Sequence, residues 1–139
     1  MHISVNRYLK DKAMDHIDHA LGRPVDPMGE TYRNYFCTDI RNPEADRMAA
    51  SPCWHMGRKL EGGMVYFHVT KHGRKALSDH LKSIGDKHRL FIVSYAGSDM
   101  PVAAESHGKA RYKKWLDVSD ASDISFKEFQ VAARVRLAS

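Results

Sequence analysis

The sequence predicts an α+β protein built from two units, and three observations lead there. Val65, Phe67 and Val69 alternate with Tyr66, His68 and Thr70 directly after Gly62-Gly63, the period of a half-buried strand that leaves a hairpin turn. Ala76, Leu77, Leu81 and Ile84 then recur at helical spacing until Gly85 closes the helix. Beyond Gly85 the pattern restarts with an apolar strand-like run, Arg89-Leu90-Phe91-Ile92-Val93-Ser94-Tyr95. Residues 1–85 therefore read as three helices, a β-hairpin and a further helix, and residues 86–139 as a basic strand-strand-helix-strand unit.

Each element has its own signal. Ser4 precedes Val5, Tyr8, Leu9, Ala13, Ile17, Ala20 and Leu21, one helical face that stops at Gly22-Arg23-Pro24. Tyr8, Leu9 and Ile17 on that long helix could pack inside one chain or against a second copy, so a homodimer stays open. Asp26-Pro27 offers a cap and a first-turn proline for a second helix through Tyr32, Tyr35 and Phe36. Asn42-Pro43 repeats the device for a third, Glu44 to Ala50, which ends at Ser51-Pro52. Cys53 to Leu60 and Met64 to Thr70 make the hairpin, and Thr70 caps the fourth helix.

In the second unit, Val102 to Glu105 is a strand after the turn Ala96-Gly97-Ser98-Asp99. The helix that follows carries Tyr112, Trp115, Leu116 and Val118 on one arc, with Lys109, Lys113 and Lys114 on the opposite side. Ser125 and Glu128 form a capping-box pair for a short turn at Phe126 and Phe129. Val131, Ala133, Val135 and Leu137 then alternate with Ala132, Arg134, Arg136 and Ala138 as a last strand.

The phrase Tyr66-Phe67-His68-Val69-Thr70-Lys71-His72-Gly73-Arg74-Lys75-Ala76-Leu77 resembles the end of a winged-helix domain, where the second wing strand leads through a Thr-x-x-Gly segment into a helix. The likeness spans residues 53–81, about a fifth of the chain. It implies a small DNA-binding regulatory protein whose third helix enters a major groove while the wing touches backbone. The second unit distantly resembles the arm-binding domains of phage integrases, which lay a small sheet in the major groove. The compact chain with its appended small unit looks like the accessory proteins carried by bacteriophages, including inhibitors of host defence. That likeness implies an alternative function, a protein-binding inhibitor or adaptor that sets a basic surface against an acidic partner.

Composition excludes several classes. With 42% hydrophobic and 28% charged residues the chain is neither disordered nor membrane-embedded in character. It holds no apolar run near the roughly 18–20 residues of a span. Its N-terminus has none of the features of a secretion signal, so a cytoplasmic location is expected, with Cys37 and Cys53 reduced and partly buried. The net charge of +5 falls unevenly: residues 1–70 carry nine basic and nine acidic side chains, residues 71–139 thirteen and eight. Such a basic half attracts phosphate backbones or an acidic protein surface.

Candidate contacts follow from these patterns. Arg47 lies on the third helix, Arg58 and Lys59 beside the wing, and Arg74 and Lys75 just after it. Lys109, Arg111, Lys113 and Lys114 interleave with Tyr112 and Trp115, a mixture that can grip a backbone and stack bases, although helical spacing turns the two aromatics inward. Glu44 and Asp46 make the third helix net acidic, against the grain of phosphate contact. His16 and His19, bracketed by Asp15 and Asp18, read as an exposed helix face with local charge pairing, and neither they nor Cys53 with His55 match a common zinc spacing. No hydrolase, phosphate-loop or dinucleotide motif appears. A binding protein without cofactor or metal, not an enzyme, is expected.

Overall fold

The computed structural model describes residues 3–138. The chain divides into two compact units, one from Ser4 to Asp86 and one from Lys87 onward. Both are α+β, each with a three-stranded antiparallel sheet.

The first unit runs α1 (Lys12–Ala20), β1 (Phe36–Asp39), α2 (Pro43–Ala50), β2 (Trp54–Lys59), β3 (Met64–Val69) and α3 (Lys71–Ser83). Its sheet has the order β1-β3-β2, with Phe36 opposite Phe67 and Trp54 opposite Val69. Val65, Phe67 and Val69 face inward as their alternation requires, and they meet Ile17, Leu21, Met48 and Leu77 in one core.

Thr70 caps α3 as expected, its hydroxyl accepting the Gly73 N–H at 3.1 Å while donating to the Pro52 carbonyl at 2.6 Å. Gly73 completes the motif sterically. A Cβ there would stand 2.5 Å from the Cys53 carbonyl oxygen and 2.7 Å from Val69, so glycine alone lets α3 lie against this backbone.

Two expected helices change. The first helix begins at Lys12, not Ser4, because the Asp11 carboxylate caps it at Met14 N. Residues 4–10 are irregular instead, with Val5 N donating to the Arg23 carbonyl at 2.7 Å. Arg7 then reaches inside: its guanidinium is bidentate to the fully buried Asp18, with contacts of 3.0 and 2.7 Å, and also meets the Pro24 carbonyl and Asp86. Tyr8, assigned to the apolar face, is 80% exposed.

The second helix is absent. Asp26-Pro27 initiates a turn, with the Asp26 side chain accepting from Met28 N, and Phe36 opens a strand paired with β3. Asn34 explains why the chain stays extended: its amide makes a two-way bond with the Val69 backbone, 2.7 Å from Val69 N and 3.0 Å to Val69 O.

The second unit runs β4 (Arg89–Tyr95), β5 (Ser98–Ala104), α4 (His107–Ser119), α5 (Phe126–Ala132) and β6 (Arg134–Leu137), with sheet order β5-β4-β6. Ala96 and Gly97 both adopt positive φ, the two-residue hairpin geometry that matches strand twist. The Ser125–Glu128 capping box forms and starts a full α5 where only a turn was expected. That helix takes in Val131, which is 86% exposed, so the last strand begins at Arg134. Phe91, Val93, Val102, Ala110 and Phe129 centre its core.

Candidate nucleic-acid interface

The hairpin expected to be a wing contains β2, an edge strand interrupted by a β-bulge. Met56 stands opposite Phe67 and Lys59 opposite Val65, so two residues, Gly57 and Arg58, face the single partner Tyr66. Gly57 accommodates this because any Cβ would lie 2.6 Å from the His68 ring, which is itself held 2.7 Å from the Asn34 carbonyl. The bulge breaks the in–out alternation, and the consecutive side chains of Arg58 and Lys59 are both exposed. Among the described residues neither has a hydrogen-bond or ion-pair partner. Nearer the hairpin tip Arg41 is committed, its guanidinium bonding Asp39 and holding that carboxyl down at about 2.

The other expected cations divide sharply. Arg47 on α2 is paired with Glu44, whose carboxyl this bond keeps below its ordinary range, and Asp46 beside it is exposed. Arg74 is an internal strut: it donates to the Pro27 and Gly29 carbonyls, each at 3.0 Å, and to the Thr31 hydroxyl at 3.1 Å. Its three bonds fix the 27–31 turn and leave it unsuited to phosphate. Lys75 forms an ion pair with Asp79 at 2.7 Å.

On α4 the expected lysine face does not form as one surface. Lys109 meets Glu105 at 3.3 Å, Lys113 donates to the Ala103 carbonyl at 3.3 Å, and Lys114 lies on the core side with Ala110, its ammonium 3.9 Å from Asp117. Ala110 is fully buried on the inner face of α4, while Tyr112 and Leu116 are exposed. Trp115 stays inward and donates to the Ile124 carbonyl at 2.9 Å, and both aromatics pack on Phe126. Arg111 has no hydrogen-bond or ion-pair partner among the described residues, and its Nε is buried.

Two further placements differ from expectation. His16 is half-buried rather than exposed: its ring packs 5.0 Å from Phe36, with Nδ1 3.5 Å from Glu44, in a pocket of about 320 Å³ that Lys12, Arg47 and Trp54 also line. Cys37 is exposed rather than partly buried, and both cysteines are free thiols. Sequence reasoning passed over Arg134 and Arg136, which line a groove with Arg111. Their alternation on the last strand was the available signal, since it places both on one face.

Among the described residues no three His, Cys, Asp or Glu side chains gather as a metal site, and no helix is long and apolar enough to cross a membrane. Comparison with protein-family models, curated proteins and solved structures finds no match.

Proposed function

We propose that this is a small nucleic-acid-binding regulatory protein of winged-helix type, with DNA favoured over RNA, which holds phosphates by its wing instead of reading bases with α2. The observation that carries this is the β2 bulge. It presents the consecutive Arg58 and Lys59 on an exposed edge with no ion-pair partner among the described residues, and unpaired exposed cations are what a phosphate backbone meets. The Thr70-x-x-Gly73 junction and the sheet order β1-β3-β2 support the winged-helix part. The single helix between β1 and β2, and its exposed acid Asp46, favour backbone contact over groove reading.

The second reading is a protein-binding inhibitor or adaptor, such as one made by a phage against a host defence complex. Exposed Tyr8, Tyr32 and Tyr35 on the first unit favour it, because tyrosine is enriched in protein interfaces.

Binding of the protein and its R58E/K59E variant to duplex DNA, single-stranded DNA and RNA across a salt series separates the two. Under the nucleic-acid reading the wild type binds with affinity that falls steeply with salt. The variant loses most of that affinity, and the magnitude of the log–log salt slope drops by about two. Equal affinity in the variant removes the wing from the interface. No binding at low salt by the wild type transfers the case to the protein-binding reading, where R58E/K59E leaves capture of the partner intact if the tyrosine surface carries it.

A further inference from the structure

A groove of about 470 Å³ in the second unit is lined by Ser94, Arg111, Ala133, Arg134, Val135 and Arg136. Three arginines from two elements line it, Arg111 from α4 and Arg134 and Arg136 from β6. Concentrating like charge is unfavourable unless something negative offsets it. One carboxylate does so in part: Asp99 lies 3.6 Å from Arg136 and accepts from the Ser94 hydroxyl, which in turn receives an Arg136 N–H at 3.3 Å.

The other two arginines are unmatched. Arg134 has no hydrogen-bond or ion-pair partner among the described residues. Arg111 has none either, and its Nε is closed off from solvent. A buried donor on a charged group is expensive to leave without an acceptor. In the first unit Arg7, Arg23 and Arg74, which are wholly or partly buried, each meet two or more acceptors.

We infer that this groove is a binding site for a phosphate group, gripped by the terminal Nη1 and Nη2 groups of Arg111 and Arg134, with Arg136 and the Ser94 hydroxyl on its flank. The planar guanidinium fits two oxygens of a tetrahedral anion at once, which a lysine ammonium does not. Ala133 and Val135 complete its lining. The site belongs to the second unit alone, so it stands or falls independently of the wing.

The test follows the arginine Nε–Hε signals of the full-length protein by NMR while inorganic phosphate is added, with sodium chloride at matched ionic strength as control. The Arg111 signal should move saturably with phosphate and stay in place with chloride. R134Q/R136Q should abolish the movement. R111K, which keeps the charge and loses the fork, should weaken phosphate binding about tenfold as read on backbone amides of β6, and it guards against a fold defect in the double variant.

A shift that chloride reproduces, that survives in R134Q/R136Q, or that fails to saturate by about 10 mM phosphate overturns the site. Parallel titrations with adenosine monophosphate and a six-residue oligothymidylate identify the source of the phosphate. Tighter binding of the oligomer assigns a nucleic-acid backbone, and equal or tighter binding of the mononucleotide assigns a free phosphorylated ligand. Running the oligomer against R58E/K59E as well keeps failure of the groove distinct from failure of the wing.

Discussion

Arg7, Arg33 and Arg74 of the first unit and Arg111 and Arg134 of the second are used in opposite ways. In the first, long segments outside helix and strand, residues 4–11 and 21–35, leave backbone carbonyls without ladder partners, and arginines supply the donors. Arg7 serves Pro24, Arg33 serves Ala20 and Tyr35, and Arg74 serves Pro27 and Gly29. The second unit is joined by short, self-sufficient turns such as Ala96-Gly97, so its arginines have no such duty. A surplus of positive charge in a sequence therefore says less about ligands than whether irregular backbone nearby absorbs it.

The largest expected effect tests the first half of that comparison. Asp18→Ala strands the buried Arg7 guanidinium and removes a partner of Arg23, and should cost about 3–5 kcal/mol of first-unit stability. Amide exchange reads it: protection should fall in β3 and persist in β4. Equal loss in both would show that the struts do not belong to one unit.

The same network gives a pH dependence. The Arg23 hydrogen bond holds the Asp15 carboxyl below its ordinary 3.8, so this contribution is complete above that value and is lost as pH falls beneath it. Arg23→Gln should flatten the acid limb of a first-unit stability profile below pH 3.8. A limb of unchanged slope would remove the pair from the ledger of acid sensitivity.

Next in size is Gly73→Ala. Glycine inside a helix is ordinarily worse than alanine by about 1 kcal/mol, so the substitution would stabilise an unconstrained helix. Here the added methyl meets the Cys53 carbonyl and Val69, and the net change should be a loss of about 1–3 kcal/mol in denaturant unfolding. A gain would mean that α3 can back away from the 52–53 backbone, and the Thr-x-x-Gly junction would then be a matter of capping alone.

What was legible in the sequence follows the range of the forces involved. The hairpin, the Thr70 cap, β4 and the Ser125–Glu128 box rest on neighbours within a few residues, and they stand where periodicity and capping put them. The failures are long-range. Phe36 is strand because Phe67 lies opposite it, and residues 4–10 stay outside the helix where Arg7 reaches Asp18. An apolar run cannot announce either partner.

Among the candidate cations, local composition located Arg58, Lys59 and Arg111 but could not separate them from Arg74, whose acceptors lie more than 40 residues away in sequence. Arg134 and Arg136 were visible as an alternating pair. What remained hidden was that α4 brings Arg111 to them.

The smallest effects discriminate most finely, because they set an engaged arginine against a free one. Arg74→Gln removes donors from three acceptors of the 27–31 turn and should cost about 1–2 kcal/mol, and under the proposed nucleic-acid reading it should leave the salt slope unaltered. Arg134→Gln removes a side chain with no partner in the fold, so stability should stay within about 0.5 kcal/mol or rise slightly as repulsion from Arg111 and Arg136 is relieved. Calorimetry on the two variants gives the difference directly. A loss at Arg134 as large as that at Arg74 would mean that Arg134 braces its own unit, and the division between structural and unengaged arginines would no longer follow the irregular backbone.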